Sequence, residues 1–400
     1  MIYLICIYLL VKKGKAIMEK KYDVAAFIWP AYTGKEIRTK IFWPGDVGEW
    51  QTVRDSVIDY PEHDYHWDRK PVWGYKDEAD PEVMEQQIEE AVKHGVNVFI
   101  YDWYWYERRP FLEQCLDDGF LKAKNKDKMQ FYIMWANHDV NYTWDKRNAD
   151  MLWAGNPTVW DGFVDRTQFD IIVDRIISKY FSQPNYYKIE GKPVFMFYSL
   201  GSLMRGLGGF DATLEALEYF NQKAVEAGHP GIHFQMVSYG SGVDNASGVD
   251  GGKKVSNREI AEGLGFSSVS NYQYCHFMRM RNHYSDLTDA AEREWNKMTE
   301  SFNIPYYPHV SVGWDPNPRF TRYIDNVCYG NTPELVEEAF RRARDFVDAH
   351  IDTLKAPLII VNSWNEWTET SYLQPDNVYG YGYLEACKKV FVDEPAEANK

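Results

Sequence analysis

Cationic residues are scarce in this 400-residue chain: 44 Lys and Arg stand against 59 Asp and Glu, a formal net charge of -15. That deficit argues against nucleic acid or an anionic membrane surface as the partner, since both call for clustered Lys and Arg. Cysteine is rarer still. Cys6, Cys115, Cys275, Cys328 and Cys387 are odd in number and form no CxxC pair, so they suggest neither a zinc site nor a disulfide framework. Reduced thiols in a cytoplasm are the simplest account. No HxH or HExxH spacing, no GxSxG elbow and no nucleophile-type cysteine motif occurs, which leaves metal, serine and thiol chemistry without candidates.

Long apolar runs are also missing. The N-terminal "MIYLICIYLLV" is apolar for only about ten residues before "KKGK", too short to span a bilayer. It has the length of a signal-peptide core but lacks a preceding basic residue and a following small-residue cleavage site. Met18 opens "MEKKYDVAAF" just ahead of the first strand. Residues 1–17 therefore read as an extension, residues 18–400 as a single catalytic unit, and stable membrane insertion is not expected. A cytoplasmic protein is the favoured reading, with a secreted or N-terminally anchored form as the alternative.

Aromatic residues are abundant: 16% of the chain, with 15 Trp and 29 Tyr. Many cluster in "WPAY", "YDWYWYE", "WANHDVNYTW" and "VGWDPNPR", beside polar groups at expected strand ends. A pyranose presents one apolar C–H face and a rim of hydroxyls, so rings flanked by Asp, Asn and Arg suit a sugar. The bland alternative is aromatic packing of a large core.

Apolar runs alternate with amphipathic segments along the chain. Strands are expected at 22–29, 96–103, 130–137, 193–200, 232–239, 266–272, 306–314 and 356–364, eight in all. Helical stretches separate them, among them "DPEVMEQQIEEAVKHG", which opens on a capping Asp and Pro and closes on Gly95. Others are "QFDIIVDRIISKYF", "DATLEALEYFNQKAVEAG", "DAAEREWNKMTESF" and "TPELVEEAFRRARDFVDAHI". Eight β-then-α units predict an α/β fold, a (β/α)8 TIM barrel with a long loop insertion after strand 1, roughly residues 30–80. An open doubly wound sheet is the runner-up, but no Gly-rich phosphate loop follows the first strand. "GLGG" at 206–209 and "DGG" at 250–252 read as turns.

In such a barrel the reacting groups sit just past the C-terminal strand ends. That filter selects Trp29 and Tyr32 from strand 1, Asp102, Tyr104 and Trp105 from strand 2, and Trp135 and Asn137 from strand 3. Tyr198 follows strand 4, Tyr272 strand 6, and Trp314, Asp315 and Arg319 strand 7. Strand 8 ends in Asn365, Glu366, Trp367 and Glu369, within "VNSWNEWTETSYLQPD". Glycosidic cleavage needs two carboxyl groups with different tasks, one protonated to serve the leaving oxygen and one ionised. Glu366 and Glu369 are three apart and share a face of any turn or helix start; flanking indoles would raise one pKa. A solvated acidic pair is the bland reading. Asp102 either anchors a sugar hydroxyl, orients a glutamate, or is a buried acid paired with an arginine.

"WNEWTETSYLQPD" resembles the C-terminal signature of WbsX-type, glycoside hydrolase family 99-like proteins. "WGYKDEADPEVMEQQIEEAVKHGVNVFIYDWYWY", "QFYIMWANHDVNYTW", "KPVFMFY" and "VSVGWDPNPR" follow the same pattern in the same order, from about residue 24 to 385. The resemblance implies a barrel active on polysaccharide, with no metal or other cofactor. It also implies a mechanism known from related endo-α-mannosidases. Glu366 would act as base on the sugar 2-hydroxyl, which attacks the anomeric carbon to form a 1,2-anhydro sugar. Glu369 would act as general acid and then base, with net retention. This sequence departs from the family's pattern at Thr370, where Gly is usual, and at Gln374, often Glu; the first bears on loop geometry.

Three functions are then in competition: a retaining, endo-acting glycoside hydrolase with an oligo- or polysaccharide substrate, a glycosyltransferase of surface polysaccharide synthesis, and a non-catalytic glycan-binding barrel. A transferase wants acidic metal-binding or basic phosphate-binding residues for its nucleotide donor. Asp-x-Asp is absent at the strand ends, and Arg319 is the main basic residue there. That favours the hydrolase.

Overall fold

The computed structural model of the chain describes residues 22–241 and 256–394. The extension expected at 1–17, Cys6 and the turn expected at 250–252 lie outside the described residues. All eight expected strands form: β1 (Asp23–Ile28), β2 (Val98–Tyr106), β3 (Gln130–Trp135), β4 (Lys192–Phe197), β5 (His233–Val237), β6 (Ser268–Ser270), β7 (His309–Ser311) and β8 (Leu358–Asn362). Their spatial order is β6-β5-β4-β3-β2-β1-β8-β7, every pairing parallel. The last gap closes just before β7. Val269 bridges Tyr306 in parallel, its N donating to Pro305 O and Tyr307 N donating to its O, both at 3.0 Å. The fold is a (β/α)8 barrel.

Strands of a covered parallel sheet are buried on both faces and so read as continuous apolar runs; all nine residues of β2 are buried. The helices obey the complementary period. In Pro81–Lys93 the buried residues are Met84, Gln87, Ile88 and Ala91, the i, i+3, i+4, i+7 stripe. Asp80 caps its start by accepting from Glu82 N, and Gly95, at φ +89°, follows its end. Phe210–Glu226, Tyr284–Ser301 and Pro333–His350 match the other expected helices closely. "QFDIIVDRIISKYF" instead divides into an α-helix, Arg166–Arg175, and a wider π-turn, Ile176–Phe181. "GLGG" closes a short helix, Leu200–Leu207, and turns through Gly208 and Gly209 at φ +102° and +108°. Among the described residues no helix is long and apolar enough to cross a membrane.

The insertion after β1 carries a short helix, Trp50–Arg54, and a small hairpin, Asp59–Tyr60 with Tyr65–His66. It folds over the loops that follow β7 and β8. Tyr65 Oη donates to Asp315 Oδ2 at 2.8 Å, and Trp67 Nε1 to Thr370 Oγ1 at 2.9 Å. The insertion thus brings its own residues to the barrel mouth.

Candidate active site

After β8 the chain does not run straight into a helix. Asn365–Glu366 pairs antiparallel with Ser371–Tyr372, and a 3-10 turn, Trp367–Glu369, joins them. This tight hairpin puts Glu366 on its first strand and Glu369 in its turn. Thr370, the position where the resemblance favours Gly, has φ +53°. A β-branched residue is strained there by about 1–2 kcal/mol. Its hydroxyl offsets that strain by accepting from Trp67 and donating to Asp315 O at 3.3 Å.

Both glutamates lie on one guanidinium. Arg319 Nη2 donates to Glu366 Oε1 and Nη1 to Glu369 Oε1, each at 2.6 Å, while Nε donates to Thr368 Oγ1 at 2.7 Å. The planar fork fixes the two carboxylates as near neighbours. A third acid joins them: Glu49 Oε1 is 3.7 Å from Arg319 Nε and accepts from Thr368 Oγ1 at 3.1 Å, and its Oε2 accepts from Trp29 Nε1. One cation thus faces three carboxyl groups, Glu49 and Glu366 buried and Glu369 partly so. Burial, then repulsion from Glu369, pushes the Glu366 carboxyl well above the usual range, with Arg319 opposing. Glu49 is raised by burial against the pull of Arg319. Asp102 is pushed well up by burial, although Tyr272 Oη donates to its Oδ2 at 3.0 Å. Asp102 is therefore partnered by a tyrosine, not an arginine.

These groups line a cavity of about 410 Å³ at the C-terminal strand ends, within the usual size of a small-ligand pocket. Among the described residues every strand but β5 contributes. Of the residues selected from sequence, Trp29, Asp102, Tyr104, Tyr198, Tyr272, Trp314, Arg319, Glu366 and Glu369 line it. Three buried polar atoms on this lining have no protein partner: Asp102 Oδ1, Glu369 Oε2 and Trp314 Nε1. Two acceptors and one donor are thus left for a ligand's hydroxyls.

The other selected residues support the wall from behind. Trp105 Nε1 donates to Gln168 at 3.2 Å, on the opposite side of β2 from Asp102 and Tyr104, as strand alternation demands. Trp135 packs on Phe169 and Phe197. Asn137 ties β3 to β4 through Ser199 N and O, both at 2.7 Å. Tyr32 stacks on Trp50 and accepts from Trp367 N, Asp315 accepts from Tyr65 and from Asn317 N, and Trp367 stacks on Tyr372. Asn365 grips the Trp29 backbone, donating to its O at 2.9 Å and accepting from its N at 2.8 Å.

Sequence reasoning passed over several lining residues, including Glu49, Trp144 and Phe320, and left His138 as an isolated histidine at the end of strand 3. Glu49 stands about twenty residues beyond its strand end, where no periodicity signals it. Trp144 and Phe320 lie in the loops after β3 and β7, within segments whose rings were already conspicuous. His138 and His276 both flank Tyr198, with ring centroids 5.2 and 6.0 Å away. Burial pushes His276 down to about 4, so it is neutral at neutral pH. Among the described residues no group of three or more His, Cys, Asp or Glu side chains is arranged to hold a metal ion.

Residues 24–387 match the family model described as glycosyltransferase WbsX. The chain belongs to the WbsX family. Two curated relatives, both called Uncharacterized protein WxcX and both from Xanthomonas campestris pv. campestris, are 22% identical over 373 residues. The match covers 90% of this chain, which spans about half, 48%, of those relatives' length. Among solved structures the fold is similar to the GH99 endo-alpha-mannosidase from Bacteroides thetaiotaomicron. The TM-score is 0.57 at 14% identity, over 92% of this chain and 96% of that one. A glycoside hydrolase-like protein matches at TM-score 0.57 and 14% identity, over 93% and 94% of the two chains. At such identity the WbsX chain shares their barrel, and the similarity carries no more than the fold.

Proposed function

We propose that this WbsX-family protein is a retaining glycoside hydrolase, acting within an oligo- or polysaccharide chain. The observation that carries the reading is the pair Glu366 and Glu369, held on the two arms of Arg319 in a cavity walled by aromatic rings. Glu366 is 3% exposed, and a desolvated carboxylate is a stronger base than one in water. It takes the proton of the sugar 2-hydroxyl as that oxygen attacks the anomeric carbon, closing a 1,2-anhydro ring. Glu369 accepts the Arg319 bond through Oε1, and its unpartnered Oε2 is the atom that passes a proton to the departing oxygen. In the second step Glu369 deprotonates water, which opens the ring, while Glu366 returns the proton to the 2-oxygen. Two inversions give net retention.

Its family's name supports a second reading, glycosyl transfer. Among the described residues Arg319 is the lone Lys or Arg on the cavity lining, and it is already bonded to two carboxylates. Among the described residues a nucleotide diphosphate donor would find four acids and no free cation to receive its charge. This favours water as acceptor and a neutral sugar as substrate.

The test is a glycan screen, starting with α-mannosides because of the endo-alpha-mannosidase of like fold. Reducing ends should appear with nothing else added. Glu369→Gln should abolish their release while leaving binding intact, and Glu366→Gln should be as damaging even with activated leaving groups. Unchanged turnover in Glu369→Gln defeats the assignment, and activity that requires a nucleotide sugar makes the protein a transferase.

A further inference from the structure

Glu78 lies outside the cavity, between the β1 insertion and the helix Pro81–Lys93, and is fully buried. Its partners are amides. Oε1 accepts from Gln87 Nε2 at 2.9 Å and Gln374 Nε2 at 3.0 Å; Oε2 accepts from Asn365 Nδ2 at 2.8 Å.

Each of these amides is locked in orientation by a second bond through its oxygen. Gln87 Oε1 accepts from Trp364 Nε1 at 2.8 Å, Gln374 Oε1 from Trp367 Nε1 at 2.7 Å, and Asn365 Oδ1 from Trp29 N at 2.8 Å. Indole and backbone N–H groups only donate, so none of the three amides can turn round. Three donor ends therefore converge on residue 78. Only a side chain that accepts at both of its terminal atoms satisfies them.

We infer that Glu78 is a positioning residue, whose carboxyl holds the Trp364–Gln374 hairpin, and with it Glu366 and Glu369, in register on Arg319. Asn365 directly precedes Glu366, and Gln374 grips Trp367 between the two glutamates, so the hub reaches the hairpin on both sides of Glu366. Through Gln87 it also fixes Trp364, where the hairpin leaves β8. Burial pushes the Glu78 carboxyl up to about 7, with the three amide bonds opposing. The Cys115 thiol adds a weak bond, donating to Oε2 at 4.0 Å. A glutamine side chain at this position does not fit, because its NH₂ meets a donor that cannot turn.

The bearing on catalysis rests on the acid/base reading of Glu366 and Glu369, but the anchoring is tested without substrate. Hydrogen exchange on the full chain should show residues 363–374 exchanging about tenfold faster in Glu78→Gln, the scale of one lost buried bond, with β3 unchanged. Protection equal to wild type in Glu78→Gln overturns the inference. So does acceleration spread equally over β3. None of these outcomes depends on whether Glu369→Gln abolishes turnover.

Discussion

Arg319→Leu removes the only Lys or Arg, among the described residues, from a cavity lined by Glu49, Asp102, Glu366 and Glu369. Two bonds of 2.6 Å to carboxylates are lost, and the acids remain buried and uncompensated. Breaking a buried ion pair from one side costs about 3–5 kcal/mol. Arg319 is 26% exposed, so the lower figure, about 3 kcal/mol, applies. The loss depends on pH. Glu366 and Glu49 already have raised pKa values in the folded protein, so their contribution to stability is full below the unfolded-state value of about 4.3 and is lost as pH rises through the folded value. Arg319 opposes that rise, so the variant binds protons still more tightly and loses stability more steeply with increasing pH. Unfolding entropy near 2.1 cal/mol/K per residue over this chain converts about 3 kcal/mol into a fall in Tm of about 4 °C at pH 8. Toward pH 4.5, as the raised carboxyls of Glu366 and Glu49 take up protons in both proteins, the fall should shrink to about 1 °C. Differential scanning calorimetry at the two pH values reads the difference directly. An equal fall at both, or a larger one at pH 4.5, would refute the claim that Arg319 serves as the counter-charge to a surplus of buried acids.

Thr370→Gly relieves a left-handed backbone, a gain of about 1–2 kcal/mol. It also orphans Trp67 Nε1 at about 1–3 kcal/mol and loosens the unfolded chain by about 0.5–1 kcal/mol; denaturant titration should show a net destabilisation of about 1 kcal/mol, and a more stable variant would mean that strain outweighs the bonds. Asp102→Asn keeps an acceptor for Tyr272 and removes a carboxyl that burial penalises. Its Tm at pH 8 should match or exceed that of wild type, while calorimetric affinity for the glycan found by screening falls about tenfold with the lost acceptor; a clear drop in Tm would count against a binding role.

Much of the barrel was legible because its signals are local. Every strand is a short run that can be buried on both faces, and Pro81–Lys93 carries its cap, its stripe and its terminating glycine within one stretch of sequence. The strand-end filter reached the lining residues that lie on the strands or a few positions beyond. It also selected Trp105 along with Tyr104, although alternation sends neighbouring side chains to opposite faces, a distinction that was present in the sequence.

Glu49 and Glu78 were illegible for a different reason. Each is a carboxylate with one near partner, Trp29 or Gln87, whose ties to the site are hundreds of positions away: Thr368 and Arg319 for one, Asn365 and Gln374 for the other. No spacing rule links them. In "VNSWNEWTETSYLQPD" the order of residues determined that two acids and two indoles follow the last strand, and so where chemistry would be sited. Only the closed barrel decided which charges the acids face and which amides the indoles lock. Burial makes those pairings obligatory, and burial is a property of the whole chain, not of any segment.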